Sequence, residues 1–120
     1  MKVAITTQGQ DLQSLVDPRF GRAKWFLVVD TETGEFEVVD NEQNVNAMQG
    51  AGIQAARTVA SKQAEVLITG HCGPNAHHTL TTAGIKIVVG AEGTVAEALE
   101  QFQGGRLKTV DSPDVEGHWM

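Results

Sequence analysis

The residues from Gly70 to His78 read Gly-His-Cys-Gly-Pro-Asn-Ala-His-His and hold the single cysteine and three of the four histidines of the chain. They follow the apolar run Glu65-Val66-Leu67-Ile68-Thr69 and precede a helix-like stretch from Ala76 to Ala83. A strand that feeds a glycine-bracketed turn into a helix gathers backbone N–H groups and the positive end of the helix dipole at its carboxyl edge. That is a setting suited to anions. Pro74 fits the first helical turn, where its missing N–H is no loss, while Gly70 and Gly73 permit close approach of a ligand or another backbone. The same residues equally suit an ordinary strand-to-helix connection with solvated histidines and a small buried thiol. One thiol defines no metal geometry by itself.

A second group of interest is Val16-Asp17-Pro18-Arg19-Phe20-Gly21-Arg22-Ala23-Lys24, which sets three cations within six residues of an otherwise acidic chain. Pro18 and Gly21 break regular structure here. A solvated surface is the ordinary fate of Arg19, Arg22 and Lys24, yet their concentration beside a loop makes them candidates for neutralising a bound anion. Arg19 leads because its guanidinium fork donates several oriented hydrogen bonds. With 15 acidic against 9 basic residues and a formal charge of -6, the surface as a whole repels nucleic acid and anionic lipid. An anionic ligand must therefore be held locally. Only six aromatic residues are present, and they are not interleaved with basic ones as a nucleic-acid strip requires.

The elements that must position these groups follow from the apolar pattern. Lys2 to Thr7 reads as a first strand, Gln8 to Ser14 as a polar loop, and Trp25 to Asp30 and Glu35 to Val39 as a hairpin closed by Thr31-Glu32-Thr33-Gly34. After an asparagine-rich loop from Asp40 to Asn46, Ile53, Ala56, Val59 and Ala60 recur at helical spacing. Gly50 and Gly52 weaken that helix's first turn, and its start is a candidate for close approach to a backbone or ligand. Met48 offers a soft thioether, although packing is the commoner role for methionine. Strands at Glu65 to Thr69 and Ile85 to Val89 bracket the histidine-rich turn and its helix. Thr94 and Glu97 then form a capping box ahead of Val95, Ala98, Leu99 and Phe102, and Gly104-Gly105 stops the last helix.

After the hairpin, strands and helices alternate, which requires crossovers and parallel pairing. The expectation is an α/β fold with a mixed five-stranded sheet flanked by helices, and with ligands beyond the carboxyl ends of the parallel strands. One domain over residues 1–106 is expected, followed by an irregular tail over 107–120 in which His118 and Trp119 are the notable side chains. A single cysteine forms no internal disulfide, the N-terminus lacks a secretory pattern, and no run approaches the roughly 20 apolar residues of a membrane span. These features point to a soluble, cytoplasmic protein without nucleic-acid or membrane partners.

Met1-Lys2-Val3-Ala4-Ile5, Asp17-Pro18-Arg19-Phe20-Gly21-Arg22-Ala23 followed by Lys24 and an aromatic, Gly70-His71-Cys72-Gly73-Pro74-Asn75-Ala76, Ala83-Gly84-Ile85 and Gly93-Thr94-Val95 occur in order along nearly the whole chain. This set resembles the dinitrogenase iron-molybdenum cofactor-binding family. The resemblance implies a ribonuclease-H-like motif with sheet order 3-2-1-4-5 and a role in binding or carrying metal-sulfur clusters. Within the family, the short single-domain chain and its His-Cys turn are most similar to a member that holds a mixed molybdenum-copper sulfide cluster without covalent attachment. Arg19, Phe20, Arg22, His71, Cys72, Gly73, Pro74, Asn75 and His77 are the expected cofactor-binding residues, with Cys72 the candidate metal ligand.

A thiometallate cluster is an anion with polarizable sulfur at its surface, so it needs hydrogen-bond donors and weakly polar walls more than hard oxygen ligands. Already saturated with sulfide, it needs no protein thiolate, and noncovalent binding ranks ahead of ligation by Cys72. An iron-molybdenum or iron-sulfur cluster carrier in cofactor assembly is the alternative cargo reading. A hydrolase with Cys72 as nucleophile and His71, His77 or His78 as base is a distant second hypothesis because no orienting acid is evident, and a metal-free protein-binding scaffold is a third. Partner proteins in cluster delivery, and a monomer or weak dimer, complete the expectation.

Overall fold

The computed structural model describes residues 1–41, 51–107 and 109–110. Most of the asparagine-rich loop, Met48, Gly50, His118 and Trp119 lie outside the described residues. The elements run in the order β1 (Lys2–Thr7), β2 (Trp25–Asp30), β3 (Phe36–Asp40), α1 (Ala51–Ser61), β4 (Val66–Ile68), α2 (Pro74–Thr82), β5 (Lys86–Val88), α3 (Val95–Gln103) and β6 (Thr109–Val110). They form one sheet in the order β3-β2-β1-β4-β5-β6. β1 is antiparallel to β2 and parallel to β4, β4 is parallel to β5, and β3 and β6 pair antiparallel at the two edges. The mixed sheet thus follows the expected order 3-2-1-4-5, with a sixth strand where five were expected. β6 contributes only two residues, too few for an alternating pattern to be legible.

The central strands are apolar on both sides because both faces are covered, as parallel strands between helices require. Ala4, Phe26, Val28, Leu67 and Ile87 enter one core with Ala55, Ala56 and Val59 of α1 and Ala76 and Leu80 of α2. Val3, Ile5, Leu27, Val29, Val66, Ile68 and Val88 enter the other with Val95 and Ala98 of α3, flanked by Leu99 and Phe102. Adjacent residues therefore alternate between two cores, and a one-residue slip in β1 would exchange all its contacts. Among the described residues no helix is long and apolar enough to cross a membrane.

The parallel strands end at the same edge of the sheet, at Thr7, Ile68 and Val88. The antiparallel pairing brings Trp25 and Asp40 to that edge as well. All three helices begin there. At α3, the Thr94 hydroxyl accepts from Glu97 N–H at 3.1 Å and the Glu97 carboxylate accepts from Thr94 N–H at 2.9 Å. Leu12 and Ser14 carbonyls accept from Ala96 and Val95 N–H at 2.9 Å each. The first turn of α3 is thus occupied by the chain itself.

The bond from Thr94 N–H holds the Glu97 carboxyl below its ordinary value of 4.5. Its stabilising effect is therefore present above that value and is lost as pH falls through the lowered folded-state value. Thr94→Ala is expected to cost about 1 kcal/mol in urea unfolding at neutral pH. The stability gap between the natural chain and Glu97→Gln should shrink as the medium is acidified below 4.5, and a gap independent of pH would refute the assignment.

Candidate functional site

The loop after β1 and the turn after β4 are joined at the carboxyl edge by a buried polar seam. Thr6, Thr69 and Asp17 are all buried. The Thr6 hydroxyl donates to the Asp17 carbonyl at 2.7 Å and lies 2.9 Å from the Thr69 hydroxyl, while Asp17 N–H donates back to the Thr6 carbonyl at 2.9 Å. One step further out, His71 N–H donates to the Pro18 carbonyl at 2.7 Å, and Arg19 and His71 form a parallel bridge. Gly70 makes that approach possible. A Cβ there would sit 2.6 Å from Pro18 Cα and 2.7 Å from its carbonyl oxygen, distances that real side chains do not tolerate.

The loop from Asp17 to Lys24 alternates between anchor and display. Phe20 and Ala23 are buried, and Phe20 stacks on Phe26 at a centroid distance of 5.7 Å. Gly21 packs on the start of α1, where a Cβ would stand 2.9 Å from Gly52 N. The buried Asn41 amide donates to the Ala23 carbonyl at 2.7 Å and Asn41 N–H to the Lys24 carbonyl at 2.8 Å. The Asp17 carboxylate accepts from Arg19 N–H at 2.9 Å, a local turn that fixes where the Arg19 side chain departs. With the apolar members inside, Arg19 and Lys24 are exposed and Arg22 is half-buried. Lys24 Nζ lies 5.9 Å from the Trp25 ring centroid.

These cations converge. Gln8, Asp17, Arg19, Arg22 and Lys24 line one open recess of about 320 Å³. Three cations against one carboxylate make it locally positive on a chain of net charge -6. Screening over about 8 Å at physiological ionic strength leaves the more distant acidic groups little influence on it.

On the other side of the seam, Cys72 is completely buried in the core with Phe20 and Ala76, and its thiol lies 3.8 Å from the Gly73 carbonyl. Gly73 is buried and serves as N-cap of α2 with no side-chain capping bond, and Pro74 opens the helix. Pro74 and Asn75 are exposed and His71 is half-buried. His77 is half-buried, and its enclosed Nε2 has no hydrogen-bond partner among the described residues. His78, the next residue on the helix, is exposed. Among the described residues no group of three or more His, Cys, Asp or Glu side chains is arranged to hold a metal ion.

Of the residues singled out in the sequence, Arg19 and Arg22 share the recess, and the Arg19–His71 bridge links it to the turn before α2. Phe20 and Cys72 lie beneath as core. Asp17 is read in the sequence only as part of the loop motif; Gln8 in the recess wall, and Thr6, Thr69 and Asn41 behind it, escaped sequence reasoning. Their only signal is a polar residue at the end of an apolar strand, which is also how an ordinary loop begins.

Residues 1–105 match the family described as dinitrogenase iron-molybdenum cofactor. The apo form of the orange protein from Desulfovibrio gigas is 43% identical with a TM-score of 0.93, over 95% of this chain and 96% of that one. A putative NifB protein from Thermotoga is 39% identical with a TM-score of 0.80, over 95% and 98%. An uncharacterized protein from Methanocaldococcus jannaschii is 28% identical over 92% of each chain. Because Gly70 abuts Pro18 backbone, Gly70→Ala is expected to destabilise the fold by about 1–3 kcal/mol in urea and to remove amide-exchange protection at His71. Unchanged protection there would contradict the close seam.

Proposed function

We propose that this chain, which belongs to the dinitrogenase iron-molybdenum cofactor family, binds and carries an anionic metal-sulfide cluster noncovalently between the Arg19 loop and the His71 turn. The observation that carries this reading is the recess of Arg19, Arg22 and Lys24, tied by the Arg19–His71 bridge to the start of α2. Cations supply long-range attraction, and the start of α2, whose N-cap is Gly73, adds the positive end of a helix dipole. The specific cargo we propose is the mixed molybdenum-copper sulfide cluster that the sequence resemblance implies, on a fold we read as the ribonuclease-H-like motif.

Cys72 is read as a packing residue under the turn. A thiol with no exposed surface reaches a cluster only if the turn opens, and a sulfide-saturated cluster gains nothing from such a ligand. The chain acts here by holding charge in place, without a chemical step on the cargo. Membership of the dinitrogenase iron-molybdenum cofactor family supports an iron-containing cluster as the second reading.

The test is anaerobic reconstitution with copper and tetrathiomolybdate, followed by gel filtration, metal analysis and visible absorption. Molybdenum and copper should co-elute with the folded protein. A unit charge about 6 Å from an anion contributes ~0.7 kcal/mol per anionic charge in water and ~2.8 kcal/mol at an effective dielectric near 20. Arg19→Ala is thus expected to weaken retention about tenfold, and added salt should weaken it further. Cys72→Ser, if folded, should keep the absorption bands. Their loss would make the thiol a ligand, and folded natural protein that retains neither metal would remove this cargo.

A further inference from the structure

β3 stands at the edge of the sheet, and its register with β2 runs without a bulge from Trp25–Asp40 to Val29–Phe36. Asp30 N–H donates to the Glu35 carbonyl at 2.9 Å and Asn41 N–H to the Lys24 carbonyl at 2.8 Å. Val28–Glu37 and Phe26–Val39 share that parity, so Phe36 and Val38 fall at the alternate positions, whose N–H and C=O groups point away from β2. Among the described residues no strand lies beyond them.

The same two residues carry exposed apolar side chains, Phe36 at 40% and Val38 at 37% of full exposure. They lie on the sheet face of Val29 and Leu27, while Glu35 and Glu37 project on the opposite face. Glu32, Glu35, Glu37 and Asp40 are all exposed, and Lys62 pairs with Glu37 at 2.8 Å. Edge strands are commonly blunted by charged side chains, lysine above all, by proline or by a bulge; β3 has no lysine, proline or bulge, and its charges are the carboxylates of Glu37 and Asp40.

We infer that β3 is a docking edge for an extended segment of a partner protein in which apolar residues alternate with lysine or arginine. Added as an antiparallel strand, such a segment bonds to the outward backbone groups of Phe36 and Val38. Its apolar side chains cover those two residues on one face, and its cations meet Glu35 and Glu37 on the other. Charge selects this occupant over a second copy of the chain, which would bring two sets of the same carboxylates together on molecules of charge -6. The inference stands independently of the cluster reading.

The test titrates the full chain with a synthetic peptide alternating valine and lysine, and in parallel with one alternating valine and glutamate, while amide hydrogen exchange is followed by NMR. The lysine peptide is expected to slow exchange at Phe36 and Val38 about tenfold or more, less so at high salt, and the glutamate peptide to leave it unchanged. Val38→Pro deletes an outward N–H while sparing the bonds to β2, and should abolish the protection at Phe36. Glu35→Lys, at an exposed site, should shift preference toward the glutamate peptide. Equal protection by both peptides, protection confined to other strands, or self-association through β3 without peptide would each overturn the inference.

Discussion

The Thr6 hydroxyl, buried between the Asp17 carbonyl and the Thr69 hydroxyl, is the contact on which the site depends. It joins chain segments 63 residues apart at the point where two parallel strands give way to loops. A buried hydroxyl stripped of its partners costs about 1–3 kcal/mol, so the two loops are held in one relative position. Pro18 and His71 extend the same seam outward, and Gly70 keeps it tight. Apolar strands alone would bring the two loops to one edge without setting their distance or register.

The site then follows from a division within each loop between residues that anchor and residues that face out. Phe20 and Ala23 go into the core, and Arg19, Arg22 and Lys24 are left around the recess. Cys72 goes into the same core from the opposite side, leaving His71, Pro74 and Asn75 at the surface. The helix ends differ in the same way. Chain carbonyls and a capping box occupy the start of α3, whereas α2 begins on Gly73 and Pro74. On the proposed function, an acidic protein holds an anion in this manner because local cations act within a Debye length and the more distant carboxylates do not.

Much of this was legible in the sequence, for reasons that differ by residue. The double-sided apolar runs around Ile5, Leu67 and Ile87 announced parallel strands between helices, and Thr94 with Glu97 announced the start of α3. Cations spaced within one loop announced a locally positive surface on an otherwise acidic chain. The hidden parts are those whose meaning depends on distant residues. Thr6 and Thr69 have no local signal because each is completed only by the other, and Asn41 is recognisable only from the loop it supports. β6 was missed because two residues carry no period, and Phe36 and Val38 read as ordinary strand residues until their place at the sheet edge was known.

The most direct measurement is an amide NMR map of the folded protein before and after addition of copper and tetrathiomolybdate. The account predicts that the largest shifts fall on residues 17–24 and 70–78 together, with the self-occupied start of α3 at Thr94 to Glu97 little changed. Shifts centred on α3 or on β3, with both of those loops unmoved, would contradict it.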